Sequence, residues 1–305
     1  MSPLEEAVSR LCEGVSEKDL ARATEELTTR YQTLKSHQTD LHRLVYLCVR
    51  MPATYAALCR VFQEFEVPQT VLDCGAGPGT AIWALPGHQL TLIEKDPEFV
   101  KLGKKLSPDA AVTWKTESFL EIKDRAEMIL FSYSLNEVPP SKLSQVICQA
   151  YHQTENLITV IEPGTPEGFE RIRKVRTQLL DLGMSLLAPC PHHNTCPMEG
   201  DNWCHFSVRL PRTSLHRRIK KGSLGFEDEK FSYLVASKKP FSPEGMRVVR
   251  HPLKRKGHVI LDLCTKEGLI QLASTKHKKA KWGDLIPFVK NANSIIEPRK
   301  ESLPD

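Results

Sequence analysis

Three cysteines and three histidines fall within seventeen consecutive positions, CPHHNTCPMEGDNWCHF, residues 190–206. Thiolates and imidazoles are the ligands of zinc and of iron–sulfur centres, so the stretch reads first as a metal site. Its cysteines, Cys190, Cys196 and Cys204, are spaced C-x5-C-x7-C. A structural zinc site usually opens on a tight knuckle with two to four residues between cysteines, and neither gap here provides one. An iron–sulfur cluster is larger, tolerates looser loops and needs four thiolates, often with proline beside one. Pro191 and Pro197 each follow a cysteine, and Trp203 and Phe206 flank Cys204, where they could keep water from a cluster. Zinc bound through His192, His193 or His205, and a set of inert thiols, stay open as alternatives. For a fourth thiolate, Cys12, Cys48, Cys59 and Cys148 sit on apparent helices and read as core residues. Cys74 belongs to a glycine loop. Cys264, placed by the pattern in the turn of a C-terminal hairpin, is the remaining candidate.

The second constellation is VLDCGAGPGT, residues 71–80, with Asp73, Gly75, Gly77 and Gly79. Glycines let the backbone turn sharply and approach a ligand closely. The spacing is G-x-G-x-G behind an acid, not the G-x-G-x-x-G of dinucleotide sites. S-adenosylmethionine carries a cationic amine and a sulfonium, for which an acid at a strand end is a suitable neighbour. Glu94, seventeen residues beyond Gly77 in LIEKDP, can accept from ribose hydroxyls. The stretch FSYSLNEVPP lacks the Asn/Asp-Pro-Pro-aromatic sequence that holds an amine for methylation. Asn136 is counted there among the cofactor-lining residues, with Glu137 beside it. A Pro-Cys nucleophile is present only at Pro189-Cys190, far from the usual position, so the catalytic residues are unknown. Radical chemistry on S-adenosylmethionine would require a tight C-x3-C-x2-C run, which is absent.

These residues need elements to place them. Residues 3–65 read as helical, with Ser16 and Asp19 spaced like a capping box and Tyr55, Leu58, Cys59, Phe62 and Phe65 forming one apolar face. From residue 69 onward short apolar runs (TVLDC, LTLIE, AVTW, MILFSYS, LITVIE) alternate with helix-compatible stretches, the pattern of a parallel sheet in an α/β domain. A helix over 168–183, a sixth strand SLLAP and a seventh, KFSYLVAS, follow, with the cysteine segment inserted in the last hairpin. After residue 240, MRVVRHP and GHVILDLCTKEGLIQLAS predict a small β-rich appendage turning through TKEG. The expected boundaries are 1–66 for the helical region, 67–238 for the α/β domain with its insertion at 189–229, and 239–305 for the appendage.

The chain has 305 residues, 40% hydrophobic and 26% charged, ordinary values for a globular protein large enough to bury a core. Nine irregularly spaced cysteines read as thiols and metal ligands, not as a disulfide framework. Net charge is +5, and three basic runs, 212–221, 251–256 and 276–281, concentrate it in the last third, where it could face nucleic acid. No run approaches the roughly 18 apolar residues of a membrane span. The opening, MSPLEEAVSRLCEG, carries acids and no apolar core, so neither a secretory signal nor a transit peptide is expected, and the expected compartment is the cytoplasm.

RMPATYAAL, VLDCGAGPGTA, VIEPGTPEGF, CPHHNTCPM, WCHFSVRLPR and FEDEKFSYLV closely resemble the methyltransferase-like proteins of the mitochondrial small ribosomal subunit and their bacterial homologues. The likeness spans roughly residues 45–290. It implies a class I, Rossmann-like, seven-strand methyltransferase fold carrying a [4Fe-4S] cluster on Cys190, Cys196, Cys204 and Cys264, S-adenosylmethionine as a second cofactor, and a role in small-subunit assembly and translation in contact with rRNA. Eukaryotic relatives would act in the mitochondrial matrix. Methyl transfer is uncertain in this family, in keeping with the missing catalytic motif. The alternative is an active rRNA methyltransferase with a structural zinc or iron–sulfur site. Oligomeric state is not readable.

Overall fold

The computed structural model describes residues 3–33, 39–220, 222–288 and 295–296, with side chains from 27 to 33 left aside. In chain order the first elements are α1 (Pro3–Leu11), α2 (Glu17–Thr33), α3 (Asp40–Val49), α4 (Met51–Val61), β1 (Thr70–Cys74), α5 (Thr80–Ala84), β2 (Gln89–Ile93), α6 (Pro97–Leu106) and β3 (Thr113–Lys115). Then come β4 (Ala126–Ser132), α7 (Leu143–Gln153), β5 (Thr154–Pro163), α8 (Pro166–Asp181), β6 (Ser185–Ala188), β7 (Phe206–Pro211), α9 (Ser214–Ile219) and β8 (Phe226–Ser237). The chain closes on β9 (Met246–Val248), β10 (Leu253–Lys254), β11 (Val259–Thr265), β12 (Gly268–Ser274), β13 (Leu285–Ile286) and β14 (Ile295–Ile296).

These elements form two compact units. The first comprises Met1–Arg60, Gln69–Phe119 and Val208–Glu229; the second comprises Val61–Pro68, Leu120–Ser207 and Lys230–Asp305. In the first unit β3, β2 and β1 lie side by side in parallel, with Val71 opposite Leu90 and Leu92 opposite Trp114. The helical layer is built on apolar residues at helical spacing. Leu4, Ala7 and Val8 of α1 pack with Leu20 and Ala23 of α2, Val45 and Leu47 of α3, Leu106 of α6 and Ile219 of α9. Helix α3 starts at a capping box in which Thr39 and His42 bond each other's backbone amides. Arg43 and Tyr46 seat α3 on the start of α6: Arg43 reaches Asp96, the N-cap of α6, at 2.8 Å, and Tyr46 meets Phe99 edge-on.

The second unit carries β4 and β5 in parallel, β8 antiparallel to β5, and β6 antiparallel to β8. Thus β6 runs with β5, and β8 is the strand inserted against the grain. The order 3-2-1 in one unit is the mononucleotide-binding half of doubly wound sheets. In the other unit the order is 4-5-8-6, with β8 the one reversed strand. Long apolar runs such as Met128–Phe131 and Ile158–Ile161 are buried throughout, as strands covered on both faces must be.

A second sheet follows in the same unit, in the order β13-β9-β11-β12-β14 with β10 on β11. The expected hairpin is present: Thr265 pairs with Gly268, leaving Lys266 and Glu267 as the turn. Period-two alternation puts Val259, Leu261 and Leu263 into the core of this small sheet with Met246, Val248, Leu272 and Ile286. Cys264 therefore faces the other way, and it lies in β11, opposite Leu269, not in the turn the sequence pattern assigned to it. Among the described residues no single helix is long and apolar enough to cross a membrane. The bent pair α3–α4 meets that test by length and composition, and much of it (Val45, Leu47, Val49, Met51, Leu58) is core.

Candidate metal centre and cofactor loop

The segment between β6 and β7 folds back on α8 and on the C-terminal sheet, all within the second unit. Cys190, Cys196, Cys204 and Cys264 line one cavity, with Phe169 and Ile172 of α8 on its wall. Cys264 and Met198 are buried together with Phe169 and Val249, and Cys196, Trp203 and Cys204 pack on that cluster. The four positions chosen from spacing and resemblance are thus brought together around a common space. All four are free thiols. Burial raises the Cys204, Cys264 and Cys196 thiols above their ordinary range, and the neighbouring cysteine sulfurs push in the same direction. Among the described residues no group of three or more His, Cys, Asp or Glu side chains is placed so that it could hold a metal ion.

Two buried guanidiniums frame this cavity. Arg176 of α8, 4% exposed, points Nε at Cys190 Sγ (3.4 Å) and donates from Nη2 to the carbonyls of His192 (3.2 Å) and Asn194 (2.6 Å). Arg247 of β9, 3% exposed, donates from Nε to the carbonyl of Pro189 (2.7 Å), and from Nη1 to Glu64 and the carbonyl of Gly283. A buried cation needs a counter-charge. Arg247 has Glu64, whereas the hydrogen-bond partners of Arg176 are a cysteine sulfur and two carbonyls. A set of thiolates in this cavity would supply Arg176 with its missing negative charge. Further ties hold the segment down: Trp203 Nε1 donates to the Gly164 carbonyl, Ser232 Oγ to the Cys204 carbonyl, Asn194 Nδ2 to the Lys266 carbonyl, and Arg250 Nη2 to Asn202 Oδ1.

The three histidines separate by environment. His193 Nε2 accepts from the Leu186 amide at 3.0 Å, and His205 stacks on Trp203 and meets Trp282 edge-on. His192 approaches a thiol, with Nε2 3.5 Å from Cys264 Sγ. Burial, and then the charge of Arg176, hold its pKa below the ordinary histidine value. The lining of the cavity is therefore dominated by sulfur, with four cysteines free of disulfides, two guanidiniums and an apolar wall.

In the first unit the glycine loop leaves β1 with the amides of Gly75 and Ala76 both donating to the Ile93 carbonyl at 2.9 Å. Gly77 holds φ 54° while its amide donates to Glu94 Oε2 at 2.8 Å; Glu94 Oε1 takes the Asp96 amide, also at 2.8 Å. Glu94 is thus oriented by a backbone amide on each oxygen. Gly79, at φ 79°, admits no side chain, because a Cβ would come within 2.8 Å of Ile82 and 3.0 Å of Trp114. Asp73 is buried, and its Oδ1 has no hydrogen-bond partner. Burial, with the charge of Glu94, raises its pKa to about 7. An orphaned buried carboxylate at a strand end is a socket for a cation, which fits the amine of S-adenosylmethionine. Asn136 belongs to the second unit, exposed on a single 3-10 turn, Leu135–Glu137, after β4. The backbone of that turn leans on the buried Glu162 of β5, itself held by Arg171 at 2.9 Å.

The basic runs divide. Run 212–221, expected to face nucleic acid, is largely neutralised within the molecule, and Lys221 lies outside the described residues. Arg212 and Lys220 bond Glu227 at 2.9 and 2.8 Å, and Arg218 pairs with Glu17. Lys254, Arg255, Lys256, Lys276, Lys278, Lys279 and Lys281 are exposed. Lys254 lies on β10 opposite Val259, which lies opposite Ser274, so the two runs leave the same end of the C-terminal sheet.

A family described as "Mitochondrial small ribosomal subunit Rsm22" matches residues 40–287. The chain belongs to that family. Among curated Rsm22 relatives, "Rsm22-cox11 tandem protein 2, mitochondrial" of Schizosaccharomyces pombe is 27% identical over 332 residues, covering 82% of this chain and 44% of that protein. "Ribosome assembly protein METTL17, mitochondrial" of Homo sapiens is 24% identical over 307 residues, covering 86% of this chain and 66% of that one. The chain therefore spans between about half and two thirds of the length of these relatives. Among solved structures, a magnesium protoporphyrin IX methyltransferase from Synechocystis with bound SAH aligns over 70% of this chain and 94% of its own, at 12% identity and a TM-score of 0.43. Within the Rsm22 match lie the glycine loop and all four cavity cysteines. Arg176 and Arg247, which sequence reasoning did not single out, lie there too. The signal for Arg176 was present: it falls on the apolar stripe of α8 with Phe169, Ile172 and Leu179.

Proposed function

We propose that this chain is an S-adenosylmethionine-binding, iron–sulfur protein that acts with the small ribosomal subunit during its assembly or in translation, touching rRNA. The observation that carries the reading is the meeting of three clustered cysteines and the distant Cys264 on one cavity in a chain of the Rsm22 family. Cys190, Cys196, Cys204 and Cys264 would hold a [4Fe-4S] cluster. When bound, it supplies an anionic anchor that fastens the cysteine segment and β11 together. Arg176 would balance that charge, and Arg176 and Arg247 fix the backbone on the two sides of Cys190. Asp73 would face the cationic end of S-adenosylmethionine, and Glu94 the ribose. The exposed lysines at one end of the C-terminal sheet suit a phosphate backbone, since such contacts need uncommitted charge more than shape.

The family's description points to the ribosome. Sedimentation of the purified protein with small ribosomal subunits tests that directly, and co-migration in about equimolar amount is expected. Migration at the top of the gradient at every salt concentration would reject it. A second reading, a working rRNA methyltransferase, is favoured by the orphaned Asp73 carboxylate. Transfer of a radiolabelled methyl group to immature small-subunit RNA, abolished in Asp73→Asn, would establish it.

A further inference from the structure

Two cysteines outside the cavity are closer to each other than thiols ordinarily stand. Cys12, just past the end of α1, and Cys48 on α3 have their sulfurs 3.1 Å apart, both buried, with α2 inside the loop they span. A disulfide has its sulfurs about 2.05 Å apart, so closure needs an approach of about 1 Å. We propose that Cys12 and Cys48 are a reversible dithiol–disulfide pair that staples α1 to α3.

The chemistry balances with hydrogen peroxide as oxidant. The Cys12 sulfur attacks one peroxide oxygen, the O–O bond breaks, and Cys12 sulfenic acid and water form. The Cys48 sulfur then attacks the Cys12 sulfur, the S–O bond breaks, and hydroxide leaves as a second water with the Cys48 proton. Two thiols are oxidised by two electrons and one peroxide is reduced to two waters. Geometry also favours the first step: Cys48 can donate its proton to the Cys12 sulfur, which draws the Cys12 pKa down and pushes that of Cys48 up. Peroxide is nearly water-sized, and α1 is a short helix of nine residues.

The pair matters for function because of what α3 touches. It carries Arg43, which holds Asp96, and Tyr46, whose hydroxyl stands 4.0 Å from the Cβ position of Gly77. A staple on Cys48 therefore sets the wall of the glycine loop. This consequence rests on the reading of that loop as an S-adenosylmethionine site; the covalent pair does not.

The whole protein is treated with peroxide, alkylated and digested, and its S-adenosylmethionine affinity is measured in both forms by calorimetry. A peptide joining Cys12 to Cys48, released by dithiothreitol and absent in Cys48→Ser and Cys12→Ser, is expected, with at least a threefold change in affinity. Alkylation of both thiols after oxidation, or linkage of either to another cysteine, would overturn the pair. A linked pair with unchanged affinity would overturn its control of the loop. Absence of binding in both forms would count against the loop assignment and leave the covalent pair standing on its peptide.

Discussion

Asp73 is an acid that its surroundings discourage from ionising. Its pKa, raised from 3.8 to about 7, lies above the unfolded value, so the native state binds a proton that the unfolded chain has already released. The stabilisation is complete below the unfolded pKa and is lost as pH rises through the folded one. Unliganded protein should therefore lose stability to urea between pH 4 and 7 more steeply than Asp73→Asn, by about one proton, or ~1.4 kcal/mol per pH unit. Equal slopes would show that the carboxylate is not desolvated. Bound S-adenosylmethionine should reverse the preference, since its ammonium group favours the charged acid, and Asp73→Asn should weaken its binding at least tenfold. Arg176 makes the complementary case. Arg176→Met removes a buried cation and strips two carbonyls of their donor, at a cost of about 2–4 kcal/mol. Thermal melting should show that loss, and iron retained through gel filtration in air should fall with it. The gathering of the four cysteines on one cavity was readable from their clustering and from the resemblance. Arg176 was harder to find, since arginine on a helix ordinarily marks the solvent face.

Elements follow the same division. Strands β1, β2 and β4 to β6 begin or end within a few residues of the apolar runs TVLDC, LTLIE, MILFSYS, LITVIE and SLLAP, because a buried strand has little choice of composition. Strand β7 and helix α9 were not foreseen. Helix α9 has six residues, too few for periodicity, and exists through its Thr213 cap and the contacts of its neighbours with Glu227. Those contacts are tertiary, which is why a run that looked free for nucleic acid is engaged inside the molecule. Cys264 was misplaced by one element: it lies in β11, and strand alternation aims it away from the Leu263 side and toward the cavity. The C-terminal sheet is also tied through Arg247, so metal and protein attachments can be separated. Cys264→Ser should lose most of the iron while the sheet stays folded. Arg247→Ala, which breaks the buried pair with Glu64 and removes the donor to two carbonyls, should cost about 3–5 kcal/mol and raise trypsin cleavage at Lys276–Lys281. Limited proteolysis with iron analysis distinguishes them; identical behaviour of the two variants would refute the separation.

On the scale of the whole molecule, the exposed charge and the thiol cavity belong to the same unit. The thiol cavity and the uncommitted lysines both reside in the second unit, and the small sheet contributes to each. Changing Lys254, Arg255 and Lys256 to glutamine should weaken binding to small-subunit rRNA similarly for all sequences and reduce the salt dependence by two to three units in the log–log slope, about one for each phosphate no longer neutralised. An unchanged slope would place the RNA elsewhere. The central claim of the functional reading concerns what fills the cavity between α8 and β11. The decisive measurement is the metal and acid-labile sulfide content of protein purified without air, read beside its visible absorption. A brown protein with about four iron and four sulfide per chain, both lost in Cys190→Ser and Cys264→Ser, is the predicted result. A colourless protein with one zinc per chain and no sulfide would contradict it.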